Sequence, residues 1–432
     1  MPPVVQKKTS IALQCLQGHR MRVSAGAQPA MLGQIEGAVL DGIETRAVRD
    51  PAGRIADLHR DFIALLKLRD LQHRPNDLSR AGDLYEEALR LTFPATSAFI
   101  AHSQALSGLT SNVSLVAVED DVLREIDLSA HEDPTYRAFV DDMVAILKAV
   151  KSPPDPIAYS QFFEIYAEAM VLRFLRGCGI PTSRVSDTKS APDFECQLAD
   201  GRSYFVEVKA LEIVDGVHRN RQIMVDGLEP NIELERQLDA GKRIASATGE
   251  VAPYKRAFGD EDYDPRSVKR VIDTVRDKCR QAFKPSQFKR GPTFALAVAD
   301  RLILHGWSSA LAPYYFDDHG GTCVSGMLWQ AAFGTVGTPV LRHPDFEGKP
   351  NVEGHLDKAG LYADPAVPFP GLGLVVLQRS SSRRLSYGLK APIEETDAWS
   401  SDDTEEALGA MCHAWNDRGN SRGFALSRYQ IE

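Results

Sequence analysis

Cysteine is scarce in this chain and never paired at short range. Its six cysteines, Cys15, Cys178, Cys196, Cys279, Cys323 and Cys412, are scattered over 432 residues with no C-x-x-C among them. This excludes a zinc ribbon and offers no disulfide framework, so reduced thiols in the cytoplasm are the expectation. Long apolar runs are missing as well. No stretch approaches the roughly 18 residues of a membrane span. The start, "MPPVVQKKTSIALQCLQGHR", has an apolar stretch too short for a signal peptide, and Gln14 before Cys15 spoils a lipoprotein-like cleavage site. Excess positive charge is absent: the formal net charge is −9, which rules out a uniformly basic coat but leaves room for a local basic patch.

Several familiar chemistries lack their motifs. There is no G-x-S-x-G elbow for a serine hydrolase. "PGLGLVV" has too few glycines for a dinucleotide fold, and they precede a strand instead of following one. "AGKR" and "EGKP" lack the upstream glycine of a P-loop, and the histidines, His218 and His413 included, show no metal-ligand spacing. No internal repeat or low-complexity tract is present.

What is present is a globular composition, 43% apolar and 25% charged, on a chain long enough for two or three domains. Residues 1–150 read as a mainly helical region, through "GRIADLHRDFIALLKLRDLQ", "SRAGDLYEEALRLTF" and "DPTYRAFVDDMVAILKAVK". It is a candidate for recognising substrate or a protein partner. "KSPPDP" forms a joint, with Asp155 as N-cap and Pro156 at the first helical position. The helix body "FFEIYAEAMVLRFL" is apolar on nearly every side, the pattern of a buried helix, and "RGCGIP" ends it. Later come helices at "EPNIELERQLDAGKRIA" and "PRSVKRVIDTVRDKCRQAF", then strands at "FALAVA", "GLGLVVLQR" and "RRLSYGLKAP". The segment 396–432 is expected to be helical through "DTEEALGAMCHAWNDR". This succession predicts an α/β fold with a mixed sheet flanked by helices, its central domain spanning 151–395.

The stretch "APDFECQLADGRSYFVEVKAL", residues 191–211, carries charge where packing should rule. Asp200-Gly201 is a turn signal between two strands, "FECQL" and "SYFVEV". Alternation places Phe205, Glu207 and Lys209 on one face and Tyr204, Val206 and Val208 on the other. Glu207 and Lys209 then stand about 7 Å apart along the strand. Burying an isolated carboxylate costs several kcal/mol, so partners are required. With a strict two-residue loop Asp193 would oppose Val208 and point to the wrong face. The reading therefore predicts a three-residue loop or a bulge that restores parity, or an Asp193 lying just before regular pairing. Two converging carboxylates beside a lysine suit Mg²⁺, with Mn²⁺ as a substitute, and phosphodiester hydrolysis.

Pro192-Asp193, thirteen residues, then Glu207-Val208-Lys209 resembles the PD-(D/E)xK nuclease superfamily, the restriction-endonuclease-like fold. The resemblance covers residues 156–211 and, more loosely, the chain to about 395. It implies that Asp193 and Glu207 hold the metal, that the carbonyl of Val208 helps, and that Lys209 is catalytic. Members also place a Glu on the preceding helix. Glu164 and Glu168 both qualify, with Glu168 preferred for its distance to the helix-ending Gly177 and Gly179; its bland alternative is pairing with Arg173 or another core partner. Glu195 shares the parity of Asp193 as an accessory candidate, although solvent exposure is the plainer expectation.

"RDKCRQAFKPSQFKR" offers Arg276, Lys278, Arg280 and Lys284 as phosphate-contacting candidates, against the plainer expectation of a solvated helix face. "HPDFEGKP", with Asp345 and Glu347, repeats the letters of the motif in a Gly/Pro loop without strands and is set aside. The expectation is a Mg²⁺-dependent endonuclease acting on DNA, in restriction, phage defence or repair. The alternatives are a non-catalytic nucleic-acid-binding or assembly protein that keeps the fold, and an RNA-directed nuclease. Cutting both strands of a duplex calls for two sites, which a homodimer would supply.

Overall fold

The computed structural model describes residues 90–107, 118–151, 156–185, 191–211, 230–247, 267–302, 314–318, 321–341, 352–379, 384–417 and 425–426. The helix expected over 53–72, most of that over 79–93, the Asp155 cap, His218 and the 343–350 segment lie outside the described residues. By contacts the chain forms two compact units: Met1–Ala101 with Asp120–Lys148, and His102–Glu119 with Ala149–Glu432.

Helices α1 (Pro94–Ser107), α2 (Asp120–Ala130) and α3 (Pro134–Ala149) account for most of the described residues up to 149. One buried carboxylate ties α2 to the first turn of α1. Asp127 accepts from the amides of Ala95 and Thr96, both at 2.9 Å, and from the Thr96 hydroxyl at 2.7 Å. These amides are among the donors a helix start leaves unpaired, so Asp127 caps α1 from a distance.

In the second unit α4 (Pro156–Gly177) begins at the expected proline. Phe162, Phe163, Tyr166, Ala169, Val171, Leu172 and Leu175 are fully buried, so this helix lies inside the molecule as its sequence predicts. Gly179 (φ 78°) stops it: Ile180 N–H bonds back to the Leu175 carbonyl at 3.1 Å and the chain turns into the sheet.

The strands, in chain order, are β1 (Thr182–Arg184), β2 (Phe194–Gln197), β3 (Ser203–Ala210), β4 (Thr293–Val298), β5 (Tyr314–Asp318), β6 (Gly321–Ser325), β7 (Pro339–Leu341), β8 (Val352–His355), β9 (Gly373–Arg379), β10 (Arg384–Lys390), β11 (Ala414–Asp417) and β12 (Ala425–Leu426). Eight of them form one mixed sheet ordered β1-β2-β3-β4-β9-β10-β11-β12; β5-β6 and β7-β8 are separate pairs. Strands β3, β4 and β9 run parallel, and β2 and β10 flank them antiparallel.

Every residue of β4 is buried, which requires cover on both faces. On one face α6 (Val268–Ala282) and α7 (Met327–Phe333) share a core with Ala295, Ala297, Leu374, Val376 and Leu389. A further helix, α5, spans 230–239. On the other face Tyr204 meets Phe294 edge-on at 5.7 Å, with Trp399 at 5.9 Å. Helix α8 (Ser401–Met411) comes so close there that a Cβ on Gly388 would stand 2.9 Å from Leu408 Cδ2, and 2.6 Å from Sγ of Cys412 just past the helix end.

The C-terminal segment departs from the helical expectation. Helix α8 stops at Met411, and 414–417 extends as β11 alongside β10. The spacing of "AMCHAW" suits helix or strand; the open edge of β10 supplies backbone partners and decides for strand. Cys178, Cys196, Cys279 and Cys412 are buried and form no disulfide. Among the described residues no helix is long and apolar enough to cross a membrane.

Candidate active site

The turn between β2 and β3 sets the parity of everything around it. Leu198 N–H donates to the Arg202 carbonyl at 2.9 Å, closing a three-residue loop, Ala199-Asp200-Gly201. Gly201 sits at φ 89°, which a side chain would strain. The extra residue gives the register Phe194↔Val206 and Glu195↔Phe205, so the next position brings Asp193 opposite Glu207. Of the three-residue loop and the bulge that were expected, the chain adopts the loop, and Asp193 lies immediately before the first residue of β2 paired with β3.

Glu207 is fully buried, while Lys209 reaches it from a more open position, its side chain 30% exposed. Lys209 Nζ lies 2.5 Å from Glu207 Oε1. Their separation along the strand is bridged by the flexible lysine stem. Gln287, on the 3₁₀ turn Pro285–Phe288, donates its side-chain N–H to the same oxygen. The other oxygen, Glu207 Oε2, is buried and has no hydrogen-bond partner. Asp193 accepts the Val208 backbone N–H through Oδ2 at 2.7 Å. A carboxylate therefore occupies the backbone donor between the two charged side chains of β3.

Glu168 enters from α4. Its Oε2 lies 3.4 Å from Arg184 Nη2, a cation supplied by β1. Burial and then the charge of Asp193 raise its carboxyl to about 8, against the opposing pull of Arg184 and Lys209. Burial and Asp193 likewise raise Glu207 to about 7, with Lys209 and Gln287 working the other way. Burial raises Asp193 too, although Lys209, the Val208 N–H and Arg184 all favour its charged form. Burial disfavours the Lys209 ammonium, but Asp193 and Glu207 outweigh it and hold that group above its ordinary value. Three carboxylates face two cations, Lys209 and Arg184. Burial is the first cause of all three raised carboxyls; the charge of Asp193 adds to it at Glu168 and Glu207, and the surplus of carboxylates over cations would favour a bound metal cation.

The remaining candidates separate from this cluster. Glu164, one turn back on α4, is exposed, and its charge acts on Arg301. Glu195 shares the predicted face but is drawn toward the turn, where Ser203 Oγ donates to it at 2.8 Å. Arg276 is a correction: its side chain is 2% exposed and paired at 2.9 Å with both Asp273 and Asp277, so it braces α6. Arg280 is held by Asp364 at 3.0 Å, and Lys278 is half-buried. Lys284 is exposed, and its backbone N–H bonds Gln287. Sequence reasoning passed over Arg184 and Gln287, whose positions near the motif come from the sheet edge and the approach of a distant turn; neither has a spacing signal.

Among the described residues no three His, Cys, Asp or Glu side chains are gathered into a formed metal cage. The fit to a cation rests on the orphaned Glu207 Oε2 and on the chemistry of the donors, which are all hard carboxylate oxygens. Neither a protein-family model, nor a curated protein, nor a solved structure matches this chain.

Proposed function

We propose that this chain is a metal-dependent endonuclease of the restriction-endonuclease-like fold, hydrolysing phosphodiester bonds of DNA. One atom carries the reading: Glu207 Oε2, buried and without a partner, on a residue brought opposite Asp193 while Lys209 holds the companion oxygen. A buried acceptor left bare costs about 1–3 kcal/mol, and a bound cation would remove that cost. Asp193 and Glu207, with Glu168 at the rim and the Val208 carbonyl, are the groups that would hold Mg²⁺ or Mn²⁺. Such an ion, when bound, polarises a phosphoryl oxygen and acidifies its water.

The residues themselves have separable tasks. Asp193 is fixed against β3 by the Val208 N–H, which sets the plane of its carboxylate. Lys209 stays protonated in its acidic surroundings. It therefore acts as a donor, orienting a water or offsetting negative charge that develops on phosphate oxygens. Arg184 steadies Glu168. Lys284, exposed on the turn that reaches Glu207, is the best placed of the basic candidates to meet a phosphate backbone.

Nicking of supercoiled plasmid by the full chain tests this. Mg²⁺-dependent nicking is expected, abolished by EDTA and reduced by about 10²-fold or more in Asp193→Ala and Lys209→Ala. Equal DNA binding by wild type and a triple variant, with no cutting by either, would replace the reading with a non-catalytic nucleic-acid-binding protein. Cleavage confined to RNA would move the substrate class.

A further inference from the structure

Gln287 lies 80 residues from Glu207 in sequence, yet its carboxamide meets that carboxylate inside the protein. Its own oxygen accepts the Lys284 backbone N–H at 2.9 Å. That bond fixes which end of the amide faces inward, because the reverse orientation would set oxygen against carboxylate and N–H₂ against N–H. The turn is itself anchored: Phe288 packs against Phe283 (ring centroids 6.2 Å apart) and fills the space beside Gly371, where a Cβ would meet it at 2.8 Å. The consequence falls on Glu207. Both of its donors, Lys209 Nζ and Gln287 Nε2, converge on Oε1, while Oε2 has neither.

We infer that Gln287 is a positioning residue for cation binding. It locks Glu207 so that Oε2 is the oxygen presented to a divalent metal. The inference rests on the metal-site reading above and adds a residue outside the hairpin to it. Without the Gln287 N–H, Lys209 alone restrains the carboxylate, which can then rotate about its terminal bond and share both oxygens with the ammonium. Partners that orient a ligand from behind typically set metal affinity by about 10- to 100-fold.

The test is Mn²⁺ binding to the full-length chain, measured by calorimetry and by the free-ion spin resonance signal, with thermal melts in EDTA alongside. Gln287→Met keeps the length of the side chain and removes the donor; Gln287→Ala is the second variant. Ser286→Ala, exposed on the same turn, is the control. Both Gln287 variants should bind Mn²⁺ about tenfold more weakly or worse. In EDTA both should still melt cooperatively, lowered by no more than about 5 °C for the lost hydrogen bonds, and their nicking rate should recover at high Mg²⁺. Ser286→Ala should bind as wild type does. Wild-type affinity in Gln287→Met overturns the inference and leaves the nuclease reading standing. Loss of Mn²⁺ affinity in a protein whose wild type never cuts nucleic acid keeps the role of Gln287 and removes the nuclease reading. A wild type that binds no Mn²⁺ overturns both.

Discussion

Replacing Glu207 by Gln should make the metal-free protein more stable while ending its proposed activity. The wild-type carboxyl is raised from 4.5 to about 7, first by burial and then by Asp193. A raised acid adds stability below its unfolded value and loses it as pH climbs through the folded value. At pH 8 the unfolded chain therefore gains about 3 kcal/mol over the native state from ionising this group, at about 1.4 kcal/mol per pKa unit. The side chain is only 1% exposed, so solvent screening takes little of this back. Glutamine is neutral, keeps an oxygen for Lys209 Nζ, and costs about 1 kcal/mol in imperfect hydrogen bonding. The net expectation is a gain of about 2 kcal/mol at pH 8 in EDTA, a rise of several degrees in melting temperature for a unit of this size. At pH 5 the native Glu207 is already protonated, so the gap should shrink to under about 1 kcal/mol. Thermal unfolding at the two pH values in EDTA measures both numbers, and plasmid nicking in Mg²⁺ measures the activity. A variant less stable than wild type at pH 8, or a gap independent of pH, would refute the picture of a carboxylate held against its own burial.

Lys209→Met should act oppositely, lowering metal-free stability by about 1–3 kcal/mol at pH 8, and the Glu207→Gln/Lys209→Met double variant should recover most of the loss; a double-mutant cycle by denaturant melts reads the coupling. Asp127→Ala should destabilise the unit that contains α2 by about 1–2 kcal/mol through loss of the α1 cap, seen in the far-ultraviolet melt of the full chain. Because burial raises Asp127 to about 6, the wild-type stability of that unit should fall between about pH 4 and pH 6, and Asp127→Asn should flatten the slope. Arg276→Ala should lower stability by about 1–3 kcal/mol through the lost packing and pairing of a buried side chain, its half-buried partners Asp273 and Asp277 keeping Lys269 and Lys358, whereas Lys284→Ala should leave melting unchanged and reduce the salt slope of DNA binding by about one unit.

The local rules in the sequence account for much of the frame. Apolar residues on nearly every side of "FFEIYAEAMVLRFL" require burial, and Phe162, Phe163 and Tyr166 are buried. Pro156, Gly179 and Gly201 act through their own dihedral limits, which neighbouring residues do not change. Strand alternation alone called for a three-residue loop, a bulge or an Asp193 ahead of the pairing; the chain makes the three-residue loop, with Asp193 just before the first paired residue. Where periodicity was ambiguous it failed: residues 414–417 were expected in a helix and joined the sheet, because the edge of β10 offered hydrogen bonds that no window of sequence contains.

The sequence by itself determined the two strands, the turn between them and the face on which Glu207 and Lys209 stand, since each follows from the dihedral preferences and alternation of adjacent residues. Only the tertiary structure decided which groups those charges meet: Arg184 at Glu168, Gln287 at Glu207, and carboxylate partners that turn Arg276 from a surface cation into an internal brace. The physical reason is range. Backbone preference acts over a few residues, whereas burial and charge pairing depend on distance in space, and the chain sets that distance only when it closes on itself.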